Sequence, residues 1–323
     1  MEKQLKRLVE LSKLDDLADH ADEADELIRK SLQSKHQRLI CRAAQLTRKR
    51  TILDFVDDLL AAYARLLNDP TKSDPGCEAK TAIVEALESA RYDNEDFFLT
   101  AIKYRQIEPV FGGSVDAAAK LRVHAGFALT ELNRLQAVGH LVELLVDPES
   151  TARAGACRAL ATCAEASAKH ILRLKVHMGD EDPAVLGECC YSFLSIAGPN
   201  GVPIVAEHLR SESRDERMEA AFALGNSRIA TALPFLQRQV ERTDEWEEAQ
   251  ITLTSIALLQ TDEATEYLFS IIEKPSTGNP FGPEAIKALG SVRDRDAIKS
   301  RIQTALKAKT NDSLNKAFRE TFE

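Results

Sequence analysis

Asp147-Pro148-Glu149-Ser150-Thr151-Ala152-Arg153-Ala154-Gly155-Ala156-Cys157-Arg158-Ala159-Leu160 is the stretch that decides the fold. Asp-Pro reads as a helix N-cap followed by proline at the first helical position, where its missing N–H would have had no partner anyway. Ala152, Ala156, Ala159, Leu160 and Cys163 then fall on one face at helical spacing. A second helix is predicted from about Ala166 to Met178, with Ile171, Leu172, Leu174 and Val176 apolar. The unit is therefore helix, short turn, helix.

The same unit recurs along the chain. Asp74, Asp116, Asp147, Asp182, Ser211, Glu245 and Ser276 each stand twelve residues before a small or apolar triplet: Ala86-Leu87-Glu88, Ala128-Leu129-Thr130, Ala159-Leu160-Ala161, Leu194-Ser195-Ile196, Ala223-Leu224-Gly225, Ala257-Leu258-Leu259 and Ala288-Leu289-Gly290. Successive openers are separated by 42, 31, 35, 29, 34 and 31 residues. A period in this range means stacked helix pairs. Alanine in the triplets lets neighbouring helices approach closely, and leucine fills the space between layers. Gly198, Gly225 and Gly290 stand where first helices are expected to end. Two irregular segments break the rhythm, Tyr104 to Ser114 and Lys274 to Pro283, both stopped by proline and glycine.

Composition agrees with such a stack. Aromatics are 6% and hydrophobic residues 44% of 323 residues, as expected for a core of small aliphatic side chains. The formal charge of −9 disfavours nucleic acid and anionic membrane as partners of the whole chain. The start, Met1-Glu2-Lys3-Gln4-Leu5-Lys6, has no apolar export region, and no stretch is read as a membrane span. The expectation is a cytoplasmic protein. Cys41, Cys77, Cys157, Cys163, Cys189 and Cys190 contain no C-x-x-C pair and are expected to be buried and reduced, with at most one of Cys189 and Cys190 deep in the core.

Asp-Pro, alternating small residues and Ala-Leu-Gly together resemble a HEAT-like repeat family. The resemblance covers roughly residues 35–307 and is best over 147–178, 211–241 and 280–307. It implies an all-α, right-handed α-α superhelix, a solenoid of about eight HEAT-like helix pairs. The expected organisation is one solenoid over 1–323: capping helices over 1–33, repeats over 34–307 and a tail over 308–323. The resemblance also implies first helices on the convex side and second helices on the concave side.

Chemical motifs are few. Some HEAT-like proteins, the deoxyhypusine hydroxylases, hold a di-iron centre through His-Glu dipeptides. None of His20, His36, His124, His140, His170, His177 and His208 is followed by Glu, so that site is not expected. The alkylpurine DNA glycosylases, another HEAT-like class, need a basic groove with aromatic residues. Here the single Trp246 is predicted to open a first helix, and the charge of the second helices runs from +3 over 166–178 to −4 over 261–273. Asp16, His20 and Glu23 share helical spacing but lie in a strongly acidic stretch, so metal is not assigned. There is no phosphate loop, nucleophile elbow or zinc helix. No catalytic residue, metal or cofactor is expected.

The expected function is a non-catalytic scaffold or adaptor that binds a protein partner along its concave face. The alternatives are a bilin lyase-like enzyme or lyase subunit, and a nucleic-acid-binding HEAT-like protein. Candidate partner-binding residues are Lys169, His170, Arg173 and His177, on one face of a helix without acids, which suits a partner with an acidic surface. Tyr104 and Phe111, in the first irregular segment, are the other candidates. A second basic stripe, Lys35, Arg38, Arg42 and Lys49, is read as neutralised by Asp54, Asp57 and Asp58 on the following helix.

Overall fold

The computed structural model describes residues 1–13, 20–50, 52–163, 165–273, 280–293, 295–307 and 312–323, without the Arg134 side chain. The opener Ser276, most of the second irregular segment and Asp16 lie outside the described residues. The chain divides into two compact units, Met1–Glu165 and Ala166–Glu323. Each is an all-α stack of helix pairs, the first interrupted by one short hairpin.

In the first unit one layer consists of α1 (Glu2–Ser12), α3 (Gln37–Thr47), α6 (Glu78–Ser89), α8 (Ala119–Leu132) and α10 (Ser150–Thr162). The other consists of α2 (Ala21–Leu32), α4 (Val56–Leu66), α7 (Glu95–Ala101) and α9 (Arg134–Leu144), with the one-turn α5 (Pro70–Ser73) in a connection. α3, α6, α8 and α10 run side by side, whereas successive helices of the second layer stand further apart. Small residues permit this: a Cβ at Gly155 of α10 would lie 2.2 Å from the Val123 side chain of α8. The close layer is thus built from first helices.

The second unit repeats the plan. α12 (Pro183–Ala197), α14 (Arg214–Asn226), α16 (Trp246–Leu258), α18 (Gly282–Leu289) and α20 (Asp312–Phe322) form the close layer. α11 (Ala166–Met178), α13 (Val202–Val205), α15 (Leu233–Arg242), α17 (Asp262–Glu273) and α19 (Arg295–Lys307) flank it. Gly225 is the penultimate residue of α14 and also makes a close contact: a Cβ there would sit 2.3 Å from the Ser255 carbonyl oxygen of α16. The expected tail proves to be a helix of the close layer. α20 packs on α18 and buries Leu314, Phe318 and Phe322.

Four openers share a device that the triplets do not reveal. A basic residue six positions later returns to the opener and fixes the start of the first helix. Lys80 Nζ lies 2.9 Å from Asp74, both fully buried, while the Asp74 carboxylate accepts the amides of Ala79 and Lys80. Arg122 Nη1 donates to Asp116 at 2.7 Å. Arg153 donates to the carbonyls of Asp147 and Pro148, and Arg217 to that of Ser211. Asp147 is not the N-cap of α10: the helix begins at Ser150, and Asp147 accepts the Glu149 amide and serves Arg122 instead. Asp182 does cap α12, accepting from the Ala184 amide at 3.0 Å.

Both Cys189 and Cys190 are fully buried, contrary to the expectation for adjacent helical positions. α12 has α11 on one side and α14 on another, so two of its faces are interior. The run Pro183–Arg210, unmarked in the sequence reading, is long and apolar enough to cross a membrane by composition, yet just over half of its most apolar window is buried inside the protein. Val185, Leu186, Phe193 and Leu194 there are core residues of the second unit.

Candidate functional site

A groove of about 840 Å³ lies on the close layer of the first unit. Because α3, α6 and α8 are packed on both sides, each leaves only a narrow strip exposed. Those strips make the floor: Arg38, Cys41, Arg42 and Gln45 from α3, Glu78, Thr81, Ala82 and Glu85 from α6, and Lys120 and His124 from α8. Leu5 and Val9 of α1 close one end, and Glu149 and Thr151 at the start of α10 close the other.

Charge in the groove is mixed and partly internally satisfied. Glu85 pairs with Arg48. His124 Nδ1 lies 2.5 Å from Glu88, and Arg42 donates to Gln45 at 2.8 Å. Arg38, Glu78 and Lys120 make no ion pair or hydrogen bond among the described residues. Burial, aided by the nearby Glu78 carboxylate, pushes the Cys41 thiol up to about 11, so it stays protonated at neutral pH and is no nucleophile. Among the described residues no three His, Cys, Asp or Glu side chains are placed to hold a metal ion.

A β-hairpin forms one rim. The segment expected to be an irregular loop folds as β1 (Ile107–Val110) and β2 (Gly113–Asp116), paired antiparallel with Ile107 opposite Asp116 and Val110 opposite Gly113. Val115, Asp116 and the following Ala117 line the groove. Buried polar contacts hold the base. Asp116 accepts from the Gln106 and Ala118 amides and from Arg122 and Arg105; Glu108 accepts the Gly76 amide at 2.8 Å. Burial would raise the Asp116 pKa, but these donors outweigh it and the carboxylate lies below its ordinary value. The tip is apolar and open to solvent: Ile107, Val110 and Phe111 are all exposed.

The two hairpin candidates differ in role. Phe111 is fully exposed at the tip, whereas Tyr104 is half-buried below it, its hydroxyl 3.0 Å from Gln106 Oε1 and its ring 5.8 Å from Lys80 Nζ. Lys169, His170, Arg173 and His177 are all exposed on α11 of the second unit, in its more widely spaced layer. Leu174 and Met178, also exposed, lie among them.

Two residues of the stripe read as neutralised, Arg38 and Arg42, line the groove, and Asp58 pairs with Arg29 at 2.7 Å. Glu23 is taken up by Arg7 at 2.7 Å, although His20 lies 3.5 Å away. Trp246 opens α16 as expected and packs edge-on against Phe281. Sequence reasoning missed the groove because its lining comes from five helices and a hairpin. The one available signal was the polar strip Arg38, Arg42 and Gln45 on an otherwise apolar helix.

No protein-family model matches the sequence, and no curated protein matches it. Among solved structures, the complex of CpcE and CpcF of phycocyanin lyase from Nostoc sp. PCC7120 is 14% identical over 82% of this chain and 94% of that one, with a TM-score of 0.38. Kap121p is 13% identical over 99% of this chain and 45% of that one, with a TM-score of 0.46, so this chain spans less than half of that protein. Human deoxyhypusine hydroxylase in complex with glycerol is 18% identical over 94% of this chain and 97% of that one, with a TM-score of 0.30.

Proposed function

We propose that this chain is a non-catalytic interaction scaffold that holds an extended segment of a protein partner in the groove of its first unit. The observation that carries the reading is the groove itself: about 840 Å³, crossing α3, α6 and α8, with Arg38, Glu78 and Lys120 unpaired on its floor. Unsatisfied charges of both signs favour a polar chain with its own side chains over an apolar small molecule, whose sites are mostly apolar. Successive helices present these groups in rows, as repeat surfaces do for extended ligands. The hairpin adds the apolar anchor that such an interface needs, in Phe111 and its neighbours Ile107 and Val110. The protonated Cys41 and the His124 bonded to Glu88 serve here as packing and hydrogen-bonding groups.

Site-specific photocrosslinking tests this. Benzoylphenylalanine at Thr81 or Lys120 is expected to capture segments of the same partner in native extract, whereas the exposed Leu135 of α9 is not. Equal capture at all three positions would remove the groove from the interface. A coloured tetrapyrrole carried by the purified protein would point to the lyase-like alternative.

A further inference from the structure

The second unit holds a smaller cavity of about 220 Å³ between α15 and the 3-10 turn Ala206–Arg210. Three arginines line it: Arg210 from the turn, and Arg238 and Arg242 one helical turn apart on α15. None of the three makes an ion pair or hydrogen bond with another described residue. Many arginines elsewhere are paired: Arg7 with Glu23, Arg29 with Asp58, Arg50 with Asp25, Arg217 with Glu248 and Arg301 with Glu266. One lining residue is acidic, Glu207, and it contacts none of the three guanidinium groups within ion-pair distance. Phe235 supplies an apolar wall.

We propose that this cavity is a binding site for a phosphoryl dianion, in the second unit and separate from the groove proposed for the partner segment. Three unpaired guanidinium groups around one small space repel one another, and an anion seated among them removes that repulsion. Guanidinium presents a planar fork matched to phosphate and carboxylate oxygens. A phosphate monoester carries close to two charges and three acceptor oxygens at neutral pH, enough for three arginines, whereas a carboxylate carries one charge and two. The volume lies below the range of drug-sized sites, roughly 300–1,000 Å³, so it suits a single phosphoryl head and not a nucleotide. That head can be free phosphate or the phosphorylated side chain of a peptide.

Isothermal titration of the full chain tests this with three probes: inorganic phosphate, N-acetyl-phosphoserine amide and N-acetyl-aspartate amide. Saturable binding of either or both phosphoryl compounds is expected, with no saturable binding of the aspartate compound. Binding of inorganic phosphate alone identifies the free anion as the ligand; binding of the phosphoserine compound, the esterified side chain. The double variant Arg238→Gln/Arg242→Gln is expected to lose affinity by at least about tenfold, given the strength of hydrogen bonds to charged groups. Lys307→Gln/Arg319→Gln removes equal charge from exposed positions of α19 and α20 and should leave affinity unchanged. All four side chains are exposed, so helical content by circular dichroism should match the parent chain. Absence of phosphoryl binding, equal binding of the aspartate compound, or equal losses in the two variants would overturn the proposal.

Discussion

Arg122 Nη2 lies 2.9 Å from Asp147 Oδ1, so a side chain of α8 clasps the opener of the next helix pair. The same guanidinium holds Asp116, the opener of its own pair, at 2.7 Å. All three side chains are nearly inaccessible to solvent. Arg105 reaches both carboxylates from the more exposed side, at 3.0 and 3.1 Å. Removing Arg122 leaves two buried carboxylates with one partly solvated counter-charge. Arg122→Leu is expected to destabilise the chain by about 3 kcal/mol, the lower end of the range for breaking a buried pair, because Arg105 remains. Chemical denaturation measures this, and a loss below about 1 kcal/mol would show that Arg105 alone suffices.

Contact between helices of the close layer sets Gly225 apart from Gly139. Gly225→Ala forces a methyl group against the backbone of Ser255 and should cost about 1–3 kcal/mol. Gly139→Ala on α9 meets nothing within 4 Å and should be neutral or stabilising, by up to about 1 kcal/mol from helix propensity. Thermal melts that rank the two alike would contradict the close packing of α14 on α16.

Leu160 is fully buried in the close layer, while Arg158 two residues away is exposed. Leu160→Asp should cost on the order of 3–5 kcal/mol, the effect of an unpaired buried charge together with lost packing. Arg158→Ala should stay within about 1 kcal/mol of the parent. Urea midpoints of the two variants are the measurement.

Glu219 leans over Gly187, where a Cβ would come within 2.3 Å of Oε2. Burial pushes its pKa above the ordinary carboxylate value, and Asp182 and Asp215 add to the shift. A folded-state pKa above the unfolded one means that the protonated form is favoured in the fold. The resulting stability is present at low pH and lost as pH rises through the folded value. Glu219→Gln is therefore expected to raise Tm at pH 7.5, with the gain shrinking as pH falls towards about 4. Scanning calorimetry across that window is the check; a Tm lowered at pH 7.5 would mean that the carboxylate is stabilised by a contact the variant loses.

The hairpin gives the fifth expectation. Its tip is solvent-exposed, so Phe111→Ser should change stability by less than about 0.5 kcal/mol. Under the proposed function the same variant should weaken partner capture at Lys120. Unchanged capture would confine binding to the groove floor.

Periodic small residues made the fold legible. Ala152, Ala156 and Ala159 recur at the spacing of one helix face, and close packing requires that pattern wherever it occurs. Polar partners across repeats were not legible. Arg122 and Asp147 are 25 residues apart and belong to different pairs, so no local rule joins them. The hairpin was hidden because Gln106-Ile107-Glu108-Pro109-Val110-Phe111 contains a proline and alternates too briefly to read as a strand. The groove could not be read from one helix at a time, since Arg38, Glu78 and Lys120 come together only after three pairs have stacked.

The Arg122 clasp also changes where the chain can be cut. A fragment ending at Val146 would keep Arg122 and Asp116 yet lose the second carboxylate, Asp147. A fragment beginning at Asp147 would carry that carboxylate without its guanidinium. The repeat boundary that the sequence period draws at Asp147 therefore falls through an ion pair. Deleting or duplicating a helix pair here would preserve charge balance only if the excised segment carried both its own arginine and the opener that arginine holds.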